Sequence, residues 1–174
     1  MGSSFSDYLN QLELMLFFSG YPFVYLIIIF IYGYRKINRT SSLKIKSFLA
    51  LSYAFVGTLY LAMRLYNNLF APHYTKIEEM SNYSFLSIWG ILSTLFWIPF
   101  FNKRFYLSLI HSLVFFLFLL KDLLYEALKI SDNFDVIRND MNIYSLSILL
   151  NFISFLFILL LVKLFSRNKR IFRL

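Results

Sequence analysis

The sequence contains no cysteine, and it has few glycines, prolines and acidic residues. Its 174 residues include 5 Gly, 3 Pro and 9 Asp or Glu. Without cysteine, neither a disulfide framework nor a thiolate metal site can form. The scarcity of Gly and Pro disfavours the broken, duplicated helices typical of secondary transporters.

The residues that are present are mostly apolar. Hydrophobic residues make up 59% of the chain and charged residues only 15%, with 22 Phe and 13 Tyr. A soluble domain has about a quarter of its residues charged, and a chain this short cannot bury so much apolar surface in an aqueous core. The composition therefore predicts an integral membrane protein.

The apolar residues fall into segments of about the length that crosses a bilayer, roughly 20 residues. These segments are 11–34, 47–70, 84–101, 105–128 and 144–166. The sequence thus predicts an all-α bundle of five transmembrane helices, which forms a single transmembrane domain over residues 1–174.

The charges on successive connections alternate in character. The connections 35–46 and 102–104 and the C-terminal tail are basic without acids, whereas the others carry acidic residues. Under the positive-inside rule this predicts an outside N-terminus and a cytoplasmic C-terminus. The predicted inner-surface basic patch comprises Arg35, Lys36, Arg39, Lys44, Lys46, Lys103, Arg104, Arg167, Lys169 and Arg170.

This basic patch is expected to meet anionic lipid of the inner leaflet. The expected location is the cytoplasmic (inner) membrane of a cell or an organelle inner membrane. A nucleic-acid partner is not expected, because that footprint belongs to a soluble module with a basic face and stacking aromatics.

A few polar side chains interrupt the apolar segments at similar predicted depth. An intramembrane charge is costly unless it is paired or reaches water, so Arg64 is expected to pair with Asp122, Glu126 or both. The predicted intramembrane polar cluster is Arg64, Asn68, Asp122, Glu126 and Asn151. The alternative for Glu126 is a position in the headgroup zone, and a structural ion pair is favoured over a catalytic one.

Small and polar residues also repeat at helical spacing. Ser147, Asn151 and Ser154 form a stripe on the fifth segment. Small residues at this spacing let helix backbones approach closely. The predicted helix-packing faces are Ala50, Ala54, Thr58 and Ala62 on the second segment and Gly90 and Thr94 on the third. Their partner is either internal or another protein.

No motif for catalysis, metal binding or phosphate binding is recognisable. His73 and His111 are predicted at different depths, which disfavours a haem held between two helices. We therefore expect no cofactor, no metal and no catalytic residue. Pro22 and Pro99 are expected to kink the first and third helices without creating a binding site.

Three functions remain open at this level. The leading hypothesis is a structural or anchoring subunit of a larger membrane complex, associated with other membrane subunits or with copies of itself. The second is a homo-oligomeric channel or pore-type effector, such as one in a bacterial defence system, with the polar stripe lining its axis. The third is an enzyme or carrier for a lipid-linked substrate at the outer leaflet that uses Arg64, Asp122 and Glu126.

Overall fold

The computed structural model describes residues 14–34, 39–70, 80–128 and 134–171. These residues are helical or lie in short turns between helices, and this part of the chain contains no strand. The long helices are α1 (Tyr21–Tyr34), α2 (Arg39–Phe70), α3 (Met80–Thr94), α5 (Tyr106–Leu128) and α6 (Phe134–Ile171), with the short α4 (Pro99–Asn102) between α3 and α5. A helical stretch at 14–18 precedes α1.

Three helical segments are long and apolar enough to cross a membrane: Leu14–Tyr32, Lys44–Tyr66 and Met141–Phe165. Their mean hydropathies are 2.3, 1.5 and 2.6. They coincide with the first, second and fifth predicted segments. The prediction of an all-helical membrane protein is therefore confirmed at this level.

The third and fourth predicted segments hold shorter apolar helices, Ser87–Trp97 and Tyr106–Lys121. The third is not one continuous helix, because α3 ends at Thr94 and a 3-10 turn, Leu95–Trp97, follows it. Ile98 is extended at φ −74 and ψ 130, and Pro99 opens α4. The residue before a proline is pushed out of the α region, which explains the break.

The N-terminal helical segment lies at the centre of the packing and α6 at its edge. In the apolar windows, 61% of Leu14–Tyr32 is buried, compared with 22% of Met141–Phe165. The core is rich in aromatic side chains, including Phe18, Tyr21, Tyr53 and Tyr60. The outward face of α6 consequently presents a long apolar surface.

The N-terminal segment and α6 meet at three levels, which follow opposite orders along the chain: Phe17 with Asn151, Gly20 with Ser147, and Phe23 with Tyr144. α6 also contacts two other helices, because the Phe157 ring lies 5.0 Å from the Phe55 ring on α2 and the Tyr144 ring lies 6.0 Å from the Phe116 ring on α5. The number of spans and their orientation in a membrane stay predictions.

Candidate functional site

The first helical segment is interrupted in the middle of its apolar run. Residues 14–18 are helical, Ser19 and Gly20 form a turn, and α1 begins at Tyr21. The next residue, Pro22, has no N–H, so it cannot donate to the carbonyl four residues earlier. The hydroxyl of Ser19 donates to the carbonyl of Met15 at 2.5 Å. The turn at Ser19 and Gly20 leaves the Gly20 N–H and the Phe17 carbonyl to bond outside the helix.

Two side chains of α6 supply those partners. The backbone N–H of Gly20 donates to Oγ of Ser147 at 2.8 Å. Nδ2 of Asn151 donates to the carbonyl of Phe17 at 2.9 Å and to the carbonyl of Ser147 at 2.9 Å. Because hydrocarbon offers no hydrogen bonds, a broken membrane helix is tolerated where a neighbouring helix satisfies its backbone. We call the residues Phe17, Ser19, Gly20, Ser147 and Asn151 the helix-break interlock.

The interlock depends on a close approach of two backbones. A Cβ added to Gly20 would collide with the backbone nitrogen of Ile148 and lie 2.7 Å from its Cα. Backbone atoms cannot move aside as the end of a flexible side chain can, so glycine is the residue that fits there. Ser147, Asn151 and Ser154, the predicted stripe, are all buried, with Ser147 and Asn151 in the interlock.

A second buried group surrounds His111 on α5. Its Nδ1 lies 2.6 Å from the hydroxyl of Tyr53, and its ring stacks on Trp89 with centroids 4.4 Å apart. Its Nε2 is buried and has no hydrogen-bond partner among the described residues. Next to it, the Tyr53 and Tyr21 rings lie 4.5 Å apart. The histidine is therefore packed between aromatic rings of several helices.

Arg64, the buried cation of the predicted polar cluster, is 4% exposed on α2. Its Nε donates to the hydroxyl of Tyr60 at 3.0 Å, and Tyr60 packs edge-on against Phe17 at 5.4 Å. Arg64 and Asn151 are thus joined through the N-terminal segment. The other predicted members, the side chains of Asn68, Asp122 and Glu126, lie outside the described part of the structure, so their pairing with Arg64 stays a prediction.

The predicted packing faces are only partly at the contacts between helices. Ala50, Ala54 and Gly90 are buried, Thr58 and Thr94 are half-buried, and Ala62 is exposed. The closest approach of α2 to α3 uses a residue outside the predicted set, because a Cβ on Gly57 would collide with Oγ of Ser93. With 3.6 residues per turn, an i, i+4 ladder rotates gradually around the helix, so Ala62 lies off the buried face that Ala50 and Gly57 share.

The described members of the predicted basic patch gather at one end of the bundle. Lys44, Lys103 and Arg104 are exposed, and Lys46 is half-buried with Nζ 4.9 Å from the centre of the Phe105 ring. Arg35 and Lys36 and the side chains of Arg39, Arg167, Lys169 and Arg170 lie outside the described residues, as does His73.

Sequence reasoning did not find the interlock or the contact between Tyr53 and His111. The available signal was the stretch Ser19–Gly20–Tyr21–Pro22, since Gly and Pro inside an apolar run mark a helix break. Within the described ranges, no three His, Cys, Asp or Glu residues lie together as a metal site would require. The chemistry that the interlock itself performs is hydrogen bonding between helices.

The fold and these sites define a helical membrane protein whose apolar helices indicate a membrane location. Comparison with protein-family models, curated proteins and solved structures finds no match to the chain.

Proposed function

We propose that the chain is a structural or anchoring subunit of a larger membrane assembly. The observation that carries this proposal is the use of the polar side chains inside the apolar helices. Ser147 and Asn151 hold the break of the first helix, and Tyr53 holds His111. These polar groups are engaged in fixing helices to one another, as in a rigid scaffold.

The surface of the bundle supports the same proposal. Much of α6 presents large apolar side chains outward, among them Leu149, Phe152, Leu156 and Leu160. Such a face meets either lipid or the apolar helices of neighbouring subunits. A bundle fixed internally, with this face left for contact, is suited to anchoring or sealing an assembly.

The finer topology is also a proposal. The start of α2 and the turn between α4 and α5 lie at the cytoplasmic side of an inner membrane, supported by their basic, acid-free composition. Five spans, an outside N-terminus and a cytoplasmic C-terminus follow from the alternation of basic connections. α6, whose C-terminal end is proposed to be cytoplasmic, is the helix to test.

Labelling of single cysteines tests the topology directly, because the chain has no native cysteine. Lys44→Cys and Lys103→Cys should both be protected from an impermeant thiol reagent in sealed cells. Asn142→Cys, exposed on α6, should be labelled if α6 begins outside. Labelling of Lys44→Cys from the exterior would refute the proposed orientation.

Gentle solubilisation followed by mass measurement of the intact particle tests the function. The proposal predicts a particle much heavier than the 20.8 kDa chain that contains other proteins. A clean monomer in every mild detergent would refute it, and a ring of identical chains would favour the pore hypothesis instead. The burial of Ser147, Asn151 and Ser154 against the bundle currently supports the scaffold over a pore lined by that stripe.

A further inference from the structure

The inner end of the bundle carries cations that are fixed in place by aromatic rings. The guanidinium carbon of Arg104 lies 4.4 Å from the centre of the Phe100 ring, and Nζ of Lys46 lies 4.9 Å from that of Phe105. A cation over the face of an aromatic ring is attracted by its quadrupole. These two cations are consequently more ordered than lysines free in solvent.

The two cations belong to different helical elements that are tied together. Lys46 is near the start of α2, and the hydroxyl of the next residue, Ser47, donates to Oδ1 of Asn102 at the end of α4. Arg104 follows two residues after Asn102, in the turn that leads to α5. Exposed Lys103 lies in the same turn. The two elements therefore bring three cations around one turn.

No acid neutralises this group from its own segments. Residues 35–48 and 99–108 contain no Asp or Glu. Positive charges gathered in this way repel one another unless an anion lies between or above them. The chemistry that complements them is a phosphate or carboxylate group.

The surroundings of the cations favour a lipid as the source of that anion. Beside them, Phe100 is 57% exposed, Tyr106 49% and Trp97 42%. Tyrosine and tryptophan concentrate at the headgroup level of a bilayer, and the exposed phenylalanine ring adds apolar surface beside them. An acidic soluble protein would have to cover these apolar side chains as well as the charges, whereas a lipid places its acyl chains on the rings and its phosphate on the cations.

We infer that the turn between α4 and α5, together with the start of α2, binds the headgroup phosphate of an anionic phospholipid between Lys46 and Arg104. The inference rests on the proposed membrane placement and deepens it. It converts the general attraction of a basic surface for anionic lipid into one site with named residues. Phe100 and Phe105 position the cations, and the exposed aromatics contact the upper acyl chains.

Native mass spectrometry of the full chain in neutral detergent tests this site. The protein is titrated with phosphatidylglycerol or with phosphatidylcholine of the same acyl chains, and lipid adducts are counted. Wild type should prefer phosphatidylglycerol. A lysine or arginine near a membrane surface is worth about fivefold in affinity, so Lys46→Gln and Arg104→Gln should each lower phosphatidylglycerol binding by about that factor and leave phosphatidylcholine binding unchanged.

Two further variants separate a site from a general effect of net charge. Lys121→Gln removes the same charge from an exposed position at the other end of α5, and it should leave binding unchanged. Phe100→Leu changes no charge but releases Arg104, and it should weaken phosphatidylglycerol binding by about twofold or more. Far-UV circular dichroism checks that each variant is folded. If Lys46→Gln does not fold, Phe100→Leu and Arg104→Gln still test whether the site binds phosphatidylglycerol.

Three results would overturn the inference. Equal binding of both lipids by wild type would remove the headgroup preference. An equal loss in Lys121→Gln and Lys46→Gln would assign the preference to net charge. Displacement of phosphatidylglycerol by excess inorganic phosphate would assign the site to free phosphate. Each of these results leaves the particle mass and the cysteine labelling unaffected, so the anchoring proposal is judged separately.

Discussion

Replacing Asn151 with leucine should destabilise the bundle by breaking the helix-break interlock. Asn151 is 1% exposed, and its amide donates two hydrogen bonds of 2.9 Å to backbone carbonyls. Leucine has a similar volume but no donor. The variant therefore removes the partner of the Phe17 carbonyl without opening a large cavity.

The expected magnitude follows from the environment. A hydrogen bond between membrane helices contributes about 0.6 kcal/mol on average and up to about 1.7 kcal/mol. A buried acceptor left without a partner costs about 1–3 kcal/mol. We therefore expect Asn151→Leu to lower the free energy of unfolding by about 1–3 kcal/mol.

The measurement is reversible unfolding in mixed micelles of a mild detergent and increasing dodecyl sulfate, followed by circular dichroism. Asn142→Leu is the matched control, because Asn142 lies on the same helix and is exposed. A surface substitution of this kind changes the free energy of unfolding by no more than about 0.5 kcal/mol. A loss in Asn151→Leu that does not exceed the loss in Asn142→Leu would contradict the structural role of the interlock.

A double-mutant cycle with Pro22→Ala tests the physical reason. Alanine restores an N–H donor at position 22 and favours a continuous helix through Ser19 and Gly20. If Asn151 serves the break, Asn151→Leu should cost less in the Pro22→Ala background than in wild type. An equal cost in both backgrounds would show that Asn151 acts independently of the break.

Three other substitutions probe neighbouring contacts by the same unfolding measurement. Gly57→Ala should destabilise by about 1–3 kcal/mol, because overpacking a filled contact forces helices apart where α2 meets α3. Tyr53→Phe should cost about 1 kcal/mol, since it removes the hydroxyl bonded to Nδ1 of His111. It should also alter tryptophan fluorescence, because Trp89 stacks on that imidazole. Ser147→Ala should cost about 1 kcal/mol by removing the acceptor for an N–H of the break, whereas Ser145→Ala, at an exposed position of the same helix, should be near neutral.

The controls for these variants lie on the same elements. Ser93→Gly should rescue part of the loss in Gly57→Ala, because the added methyl group meets the Ser93 side chain. Tyr106→Phe alters an exposed tyrosine on α5 and should leave stability and fluorescence unchanged. Failure of the rescue would show that the loss in Gly57→Ala does not come from a clash with Ser93. An equal effect of Tyr106→Phe and Tyr53→Phe would show that the hydrogen bond to His111 adds no stability of its own.

Several features of the fold were predictable because they depend on short stretches of sequence. Transfer of an apolar segment into hydrocarbon depends on that segment alone, and the runs in α2 and α6 are long enough to be recognised. The break before Pro99 has an equally local cause in proline's missing N–H and steric bulk. The basic connections are also visible in sequence, because the positive-inside rule depends only on where Lys and Arg lie along the chain.

The candidate sites depended on pairings that no local pattern specifies. The stripe Ser147–Asn151–Ser154 was visible on α6, but its partner in the N-terminal segment lies 127 residues from Ser147. A helix that is apolar all round does not indicate which face is buried. In lipid, association depends on close packing and hydrogen bonds between particular faces.

The sequence by itself therefore determined that the chain forms apolar helices suited to a membrane. It also determined the positions of the charged connections and of the prolines that interrupt the helices. Only the tertiary structure decided that the break at Gly20 lies against the backbone of α6 and that Gly57 rather than Ala62 makes the close contact. The physical reason is that burial in hydrocarbon acts on each segment separately, whereas interlocking surfaces and shared hydrogen bonds arise when segments meet.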